Sequence, residues 1–223
     1  MLKRLYKSWC GMWAKEQSRA DAVPEQAAPE GMTLASIEQI PTHYETDPWI
    51  RFMLLDEVAQ GHTLQGIIGF NAIEFDTAHD FIQWLFPNRL ASPVNWHAPL
   101  LTDLHVDAYA QLPALRQAVD SALTRFFDFL GIEEGAQGFT HGQNFEKGSR
   151  YWLCPLDHNH RRISRVLTFL CEMGRIERAE QALRYLVDAM TAHQLQNVTA
   201  VRFWVGIVAA YRPELTRAVN PLD

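Results

Sequence analysis

The chain has 223 residues and a formal net charge of −6, with 48% hydrophobic and 21% charged residues. This size and balance predict one globular domain with appendages, and the acidic charge disfavours nucleic acid as a partner because phosphate groups are repelled. The three cysteines, Cys10, Cys154 and Cys171, are too few for a disulfide framework and fit a reducing compartment. Because no apolar run approaches the roughly 20 residues of a membrane span, we expect a soluble protein in the cytoplasm.

The N-terminal part of the chain is expected to lie outside the globular body. In residues 1–16, large apolar side chains recur at helical spacing with basic residues between them, which predicts a basic amphipathic helix. Such a helix either docks on its own domain or lies on an anionic membrane surface. Residues 17–33 combine prolines and a glycine with polar residues and are interpreted as a flexible linker. The body then comprises residues 34–223.

The body opens with two predicted helices. Asp47 and Pro48 suit an N-cap and a first helical turn, and Gly61 is a natural stop for that helix. The second helix is predicted over residues 72–86, because the proline that follows ends it. The apolar side chains expected to face the core are Ile50, Met53, Leu54 and Val58 in the first helix and Phe75, Ala78, Ile82, Leu85 and Phe86 in the second.

The remainder of the body is predicted as helices separated by loops. Residues 88–101 contain two prolines and residues 131–150 are rich in glycine, so both segments are predicted loops. Strand-like alternation is scarce, and the predicted fold class is therefore all-α, an irregular multi-helix globular domain. The later predicted helices run from Pro113 to Gly131, from a cap at Asp157 to Gly174, and over residues 176–193 and 197–211.

The end of the second predicted helix carries the most specific segment, His79-Asp80-Phe81-Ile82-Gln83-Trp84-Leu85-Phe86-Pro87. It resembles the opioid growth factor receptor conserved-domain family, whose members show a His-x-aromatic-Ile-Gln-Trp-Leu-Phe-Pro run with an acidic residue three positions before the histidine. Asp76 occupies that acidic position here. Three further segments resemble family features in the same order, namely Gly61-His62-Thr63-Leu64, Asn95 with Ala98-Pro99-Leu100, and His158-Asn159-His160-Arg161-Arg162-Ile163-Ser164-Arg165.

The resemblance implies a helical fold and a receptor-like or binding role. The family name derives from opioid-peptide binding by a longer vertebrate member, so ligand identity is not carried over to this chain. The resemblance supplies no reaction and no catalytic residues, and we expect no cofactor and no metal. The expected partner is a peptide, a protein or a small anionic ligand.

We predict a ligand site where the end of the second predicted helix, the Asn95 loop and the start of the Arg162 helix lie close together. These segments carry the polar residues that match the family, and they fall at helix ends or in loops. Asp76, His79, Phe86 and Pro87 are assigned to the framework of the motif. The candidate ligand-binding residues are Gln83, Trp84, Asn95, His158, Asn159, Arg162 and Arg165.

All of these residues serve equally well as internal supports, and for Trp84 and the two arginines the alternatives are specific. Trp84 is either a surface aromatic anchor of the kind found in binding hot spots or a residue of the core. Arg162 and Arg165 share a helix face, where they either grip a carboxylate or phosphate group or form internal ion pairs, for example with Asp76 or Glu172.

Two enzyme-like interpretations are weaker. Cys154, Asp157, His158 and His160 are zinc-ligand types within seven residues, but no second close pair accompanies them. His79-Asp80 is similar to the pair used by all-α metal-dependent phosphohydrolases, in which a metal activates hydroxide. Both cysteines of the body lie among apolar residues and are expected to be buried structural thiols.

The leading hypothesis is a non-enzymatic, receptor-like binding domain. One alternative is a small all-α hydrolase that uses the His, Asp and Arg groups. Another is a scaffold held at a membrane surface through residues 2–16, which would make the cytoplasmic protein membrane-associated.

Overall fold

Ten α-helices and one two-stranded antiparallel sheet make up the regular structure of the residues described by the computed structural model, which are 40–93 and 95–212. The all-α fold class is thereby confirmed. The predictions for residues 1–16 and 17–33 lie outside the described residues. No helix within the described ranges is long and apolar enough to cross a membrane.

The elements follow one another closely along the chain. The two strands pair in register from Ile132 with His141 to Gly135 with Gly138, and a short 3-10 turn covers Ser149–Tyr151. In chain order the elements are α1 (Pro48–Leu55), α2 (Leu64–Ile68), α3 (Ala72–Thr77), α4 (Ile82–Leu85), α5 (Asp103–Gln111), α6 (Pro113–Phe129), β1 (Ile132–Gly135), β2 (Gly138–His141), α7 (Phe145–Gly148), α8 (Asn159–Glu172), α9 (Ile176–Ala192) and α10 (Thr199–Tyr211).

Helix α1 begins as predicted and ends earlier than predicted. The Asp47 carboxylate accepts hydrogen bonds of 2.9 Å from the backbone N–H groups of Trp49 and Ile50, which satisfies two donors of the first turn. Asp56 stops the helix, because its φ of 53° is left-handed, and its side chain accepts from the backbone of Gln65 at 2.8 Å. The prediction that the helix continues to Gly61 with Val58 inward is therefore wrong, and Val58 is 70% exposed.

The prediction of a single helix over residues 72–86 is also wrong. The chain forms two short helices, α3 and α4, and Ala78 between them has an extended backbone with a ψ of 137°. Phe75, Ile82, Leu85 and Phe86 are buried as predicted, whereas Ala78 is half-buried. The break turns the chain at the start of the family motif.

Helix α5 follows the predicted loop over residues 88–101 and was not anticipated. Its residues include few large apolar side chains, so helical periodicity is weak. Its position is set by His105, whose ring nitrogens lie 2.9 Å from an Asp47 carboxylate oxygen and 3.1 Å from the Thr102 backbone nitrogen. The helix is thus stabilised by a long-range contact that local sequence does not reveal.

The segment predicted as a long loop over residues 131–150 instead forms a β-hairpin and helix α7. Gly131 and Gly138 have φ values of +74° and +108°, which residues other than glycine rarely adopt. Gly131 also lies against Gly148 so closely that a Cβ on Gly148 would be 2.2 Å from the Gly131 nitrogen. This glycine contact anchors the hairpin to the body.

The predicted C-terminal helices are confirmed as α8, α9 and α10, which pack on one another. Trp204 of α10 is fully buried and its indole N–H donates to the His160 carbonyl of α8 at 3.1 Å. An aromatic core joins α8 to the earlier elements, since the ring of Phe86 lies 5.8 Å from Phe126 and 5.5 Å from Phe169.

Candidate functional site

The Arg162 guanidinium is the centre of the polar contacts in the motif. Nη1 donates to the Phe75 carbonyl at 2.7 Å and to the Asn159 side-chain oxygen at 3.1 Å. Nη2 donates to the carbonyls of Asp76 at 3.1 Å and Ala78 at 2.5 Å. Arg162 is only 6% exposed, and its pKa is lowered by burial and raised by the nearby Asp76 and Asp157 charges, with burial the larger influence.

These contacts explain why the predicted helix breaks. In a continuous helix, the carbonyls of residues 75, 76 and 78 would accept hydrogen bonds from backbone N–H groups four residues later. Arg162 occupies those carbonyls instead, and a cation is favourable at the C-terminal end of a helix. The arginine therefore ends α3 and stabilises the turn that precedes α4.

Asp76 links α3 to the start of α8. Its side-chain oxygen lies 2.8 Å from the Asn159 amide nitrogen and 3.1 Å from His158 Nε2. Asn159 is fully buried and also donates to the Tyr151 carbonyl at 3.1 Å, whereas His158 is exposed. The rings of His158 and His79 lie 5.7 Å apart, so the motif histidine borders this cluster.

The contact between Asp76 and His158 shifts the pKa of both side chains. The hydrogen bond from His158 to Asp76 is the main cause that raises the pKa of His158 above the ordinary 6.5. Burial acts most strongly on Asp76 and raises its pKa, but the hydrogen bonds from His158 and Asn159 and the charges of His158 and Arg162 together lower it below 3.8.

Replacing His158 with Gln should therefore cost stability in a pH-dependent way. A raised histidine pKa contributes stability that is fully present below the unfolded pKa and is lost as the pH rises through the folded pKa. We expect the melting temperature of His158→Gln to fall below that of wild type at about pH 5.5 and to approach it at about pH 8.5. His43→Gln, at an exposed histidine, serves as the control, and an equal deficit at both pH values would contradict the assignment.

Arg165 and Arg161 have different surroundings from Arg162. Arg165 is half-buried and donates to the Phe86 carbonyl at 3.2 Å, and burial lowers its pKa although Glu172 acts in the opposite direction. Arg161 is exposed. Arg165 bonds to a backbone carbonyl and Arg162 to three backbone carbonyls and the Asn159 side chain. Neither makes an ion pair with the carboxylates of Asp76 or Glu172 within the described ranges.

A second cluster lies on the other side of the turn, and we name Gln60, Trp84, Asn95 and Trp96 the amide–tryptophan surface. The side-chain amides of Gln60 and Asn95 bond to each other at 2.7 and 3.1 Å. The Trp84 indole N–H lies 3.2 Å from the Gln60 oxygen. Asn95 is buried and also donates to the Asp80 carbonyl at 3.0 Å, while Trp96, next along the chain, is 87% exposed.

Gln60 occupies an unusual backbone position. It and Gly61 have φ values of 51° and 85°, and the flanking residues Ala59 and His62 exchange two backbone hydrogen bonds. Two consecutive left-handed residues define a tight hairpin turn, and a non-glycine residue adopts that conformation at a cost of about 1–3 kcal/mol. The turn directs the Gln60 amide to Trp84 and Asn95.

The motif residues next to Trp84 are buried. Gln83 is 5% exposed, and its side-chain oxygen has no hydrogen-bond partner in the described part of the chain. Trp84 itself is half-buried, with its ring 5.5 Å from Phe52. Phe86 and Pro87 lie in the core. Trp84 is therefore the member of this run whose ring reaches the surface while remaining packed.

The structure brings the predicted segments together through the turn at residues 78–81. Within this turn, Arg162 donates to the Ala78 carbonyl and Asn95 donates to the Asp80 carbonyl. The buried candidates support the turn, and the more exposed candidates, Trp84 and His158, lie to either side of it. The sequence reasoning missed Gln60 and Trp96. The signal for Gln60 was its position directly before a turn glycine. The signal for Trp96 was its position inside the Asn-x-x-Ala-Pro-Leu segment.

The residues of the enzyme-like clusters have other partners in the structure. His160 is buried and its ring bonds to the Trp152 carbonyl at 2.7 Å. Across the described ranges, no group of three or more His, Cys, Asp or Glu residues is arranged to hold a metal ion. Cys171 is buried as expected, and burial raises the pKa of its thiol to about 12; Cys154 is half-buried.

Comparison with known proteins gives a consistent result. The chain is 32% identical to the opioid growth factor receptor of Rattus norvegicus over 124 residues, which is 54% of this chain and 21% of that protein. The same receptor from Mus musculus is 32% identical over 124 residues, which is 54% of this chain and 19% of that protein. The receptor from Homo sapiens is 34% identical over 99 residues, which is 43% of this chain and 14% of that protein.

The matched region spans only 21%, 19% and 14% of the lengths of those relatives. No solved structure matches the chain. A match to the opioid growth factor receptor (OGFr) conserved region extends over residues 68–217, which include the motif, the turn and the arginine helix. The chain belongs to the opioid growth factor receptor conserved-region family.

Proposed function

We propose that this domain is a non-enzymatic, receptor-like module that binds a peptide at the amide–tryptophan surface. The observation that carries the proposal is the exposure of Trp96, which directly follows Asn95 in the chain, together with the paired amides of Gln60 and Asn95. Aromatic side chains supply much of the affinity at binding hot spots. The exposed Gln60 amide offers a hydrogen bond to a peptide backbone, and the buried Asn95 holds that amide in place. The relatives are named as receptors for an opioid growth factor, which favours a peptide over other ligands.

The buried motif residues support this surface rather than contact the ligand. Arg162 directs its hydrogen bonds to three backbone carbonyls and to Asn159, and Asn159 binds Asp76. These groups fix the turn from which α4 and Trp84 project. Because their donors are used internally, they are poor candidates for acid–base or nucleophilic chemistry, which supports binding over hydrolysis.

The strained turn at Gln60 gives a second reason to propose a ligand at this surface, because strained backbone of this kind is found at ligand clamps.

Replacing Trp96 with Ala tests the proposal with little risk to the fold, because the side chain is 87% exposed. The probe is fluorescently labelled opioid growth factor, with a scrambled peptide of the same composition, and the readout is fluorescence anisotropy. We expect saturable binding of the probe by wild type and a loss of affinity of about tenfold or more in Trp96→Ala.

Leu156→Ala is the matched control, since Leu156 is 76% exposed but lies in the segment before α8. It should retain the wild-type affinity. Equal binding of the scrambled peptide, absence of saturable binding by wild type, or an unchanged affinity in Trp96→Ala would each contradict the proposal.

A further inference from the structure

A separate cavity of about 440 Å³ lies between the β-hairpin and α9. Its volume falls in the range of roughly 300–1,000 Å³ that is typical of small-molecule sites. Phe139, Ala189 and Ala192 contribute apolar surface, and polar side chains surround it. None of its lining residues belongs to the amide–tryptophan surface or to the Asp76–Arg162 cluster.

The walls of the cavity are held by contacts between the hairpin and the body. His141 of β2 shares a hydrogen bond of 2.7 Å with the Tyr185 hydroxyl of α9. The ring of Phe139 lies 4.6 Å from Phe127 of α6. Arg178 of α9 bridges the hairpin residue Glu134 and Asp120 of α6. The cavity is therefore preformed, which lowers the conformational cost of binding a ligand.

Two opposite charges line this cavity one helical turn apart. Arg184 and Asp188 lie on the same face of α9 and are separated by about 6 Å along its axis. Neither makes an ion pair with any residue in the described part of the chain, in contrast to Arg178. Arginine placed four residues before an acid is the weaker orientation for such a helical pair, so both charges remain available to a ligand.

We propose that the cavity binds a small zwitterion with an apolar group, namely a free amino acid with an aromatic side chain. Its carboxylate would bond to the Arg184 guanidinium, which presents a planar set of donors suited to a carboxylate. Its ammonium group would bond to Asp188, and its ring would pack against Phe139. A ligand with a single charge leaves one of the two protein charges without a counter-ion.

Isothermal titration calorimetry of the full chain with L-phenylalanine tests this proposal. We expect one site with a Kd of about 1 mM or tighter. Phenylpropionate lacks the ammonium group and phenethylamine lacks the carboxylate, so each should bind about tenfold more weakly. Arg184→Gln and Asp188→Asn, both at exposed positions, should each weaken L-phenylalanine binding by a similar factor.

Arg202→Gln removes an exposed arginine of α10 that does not line the cavity, and this control should bind like wild type. Saturable binding that is weakened by both cavity variants and by both ligand truncations would support the site. No saturable heat with L-phenylalanine overturns it. Equal affinity for phenylpropionate overturns the zwitterion assignment, and so does unchanged affinity in either cavity variant. None of these results depends on peptide binding at Trp96.

Discussion

Replacing Arg162 with Ala is expected to lower the free energy of unfolding by about 3–5 kcal/mol. The substitution removes the donors to three backbone carbonyls and to the Asn159 side chain in a region where Arg162 is 6% exposed. Those acceptors would remain buried without partners. Urea unfolding monitored by circular dichroism measures the change, since the transition midpoint and its slope separate stability from altered compactness.

Arg161→Ala is the matched control, because its side chain precedes Arg162 on the same helix and is exposed. It should change stability by no more than about 0.5 kcal/mol. Arg162→Lys keeps the charge but loses the planar fork of donors, so we expect an intermediate loss. A loss below about 1 kcal/mol in Arg162→Ala would show that the guanidinium does not support the turn.

Replacing Gly148 with Ala should destabilise the protein by about 3 kcal/mol or more. The new Cβ would lie 2.2 Å from the Gly131 nitrogen and 2.5 Å from the Leu130 carbonyl carbon. These are backbone atoms, so no side-chain rotation relieves the overlap, and α7 must move away from the start of the hairpin. The unfolding midpoint in urea gives the magnitude.

Gly206→Ala is a suitable control because Gly206 lies within α10 and has no atom within 4 Å of an added Cβ. Alanine is favoured over glycine inside a helix by about 0.8–1.0 kcal/mol, so this variant should be slightly more stable than wild type. Comparable stability of Gly148→Ala and wild type would contradict the close glycine contact.

Helix starts with local signals were predictable from the sequence. Asp47 and Pro48 define the start of α1 because the capping contacts involve neighbouring residues. The C-terminal helices were predictable because their apolar residues recur with helical spacing. Four-residue strands such as Ile132–Gly135 are too short to show periodicity, and so the hairpin was missed.

Helix ends without a local glycine or proline signal were not predictable. The end of α3 depends on Arg162, which lies more than 80 positions later in the chain. The end of α1 depends on a left-handed Asp56. Neither feature changes the local apolar pattern, so the predicted helices continued through both points.

The candidate site was likewise predictable only in part from the sequence. The motif identified Asn95, Asn159 and Arg162 as important polar residues, but sequence did not distinguish ligand contacts from internal supports. Burial makes that distinction, since all three are enclosed by protein atoms. Gln60 was missed because its role depends on a left-handed turn and on amide contacts across 35 positions of the chain.

We propose that the family motif shapes a turn that presents the amide–tryptophan surface to a peptide. Hydrogen–deuterium exchange of the full chain, with and without saturating opioid growth factor, tests it most directly. We predict slower exchange of the backbone amides in residues 59–62 and 95–97 when the peptide is bound, with α9 unchanged. Protection confined to α9 and the hairpin, or no protection in either segment, would contradict the account.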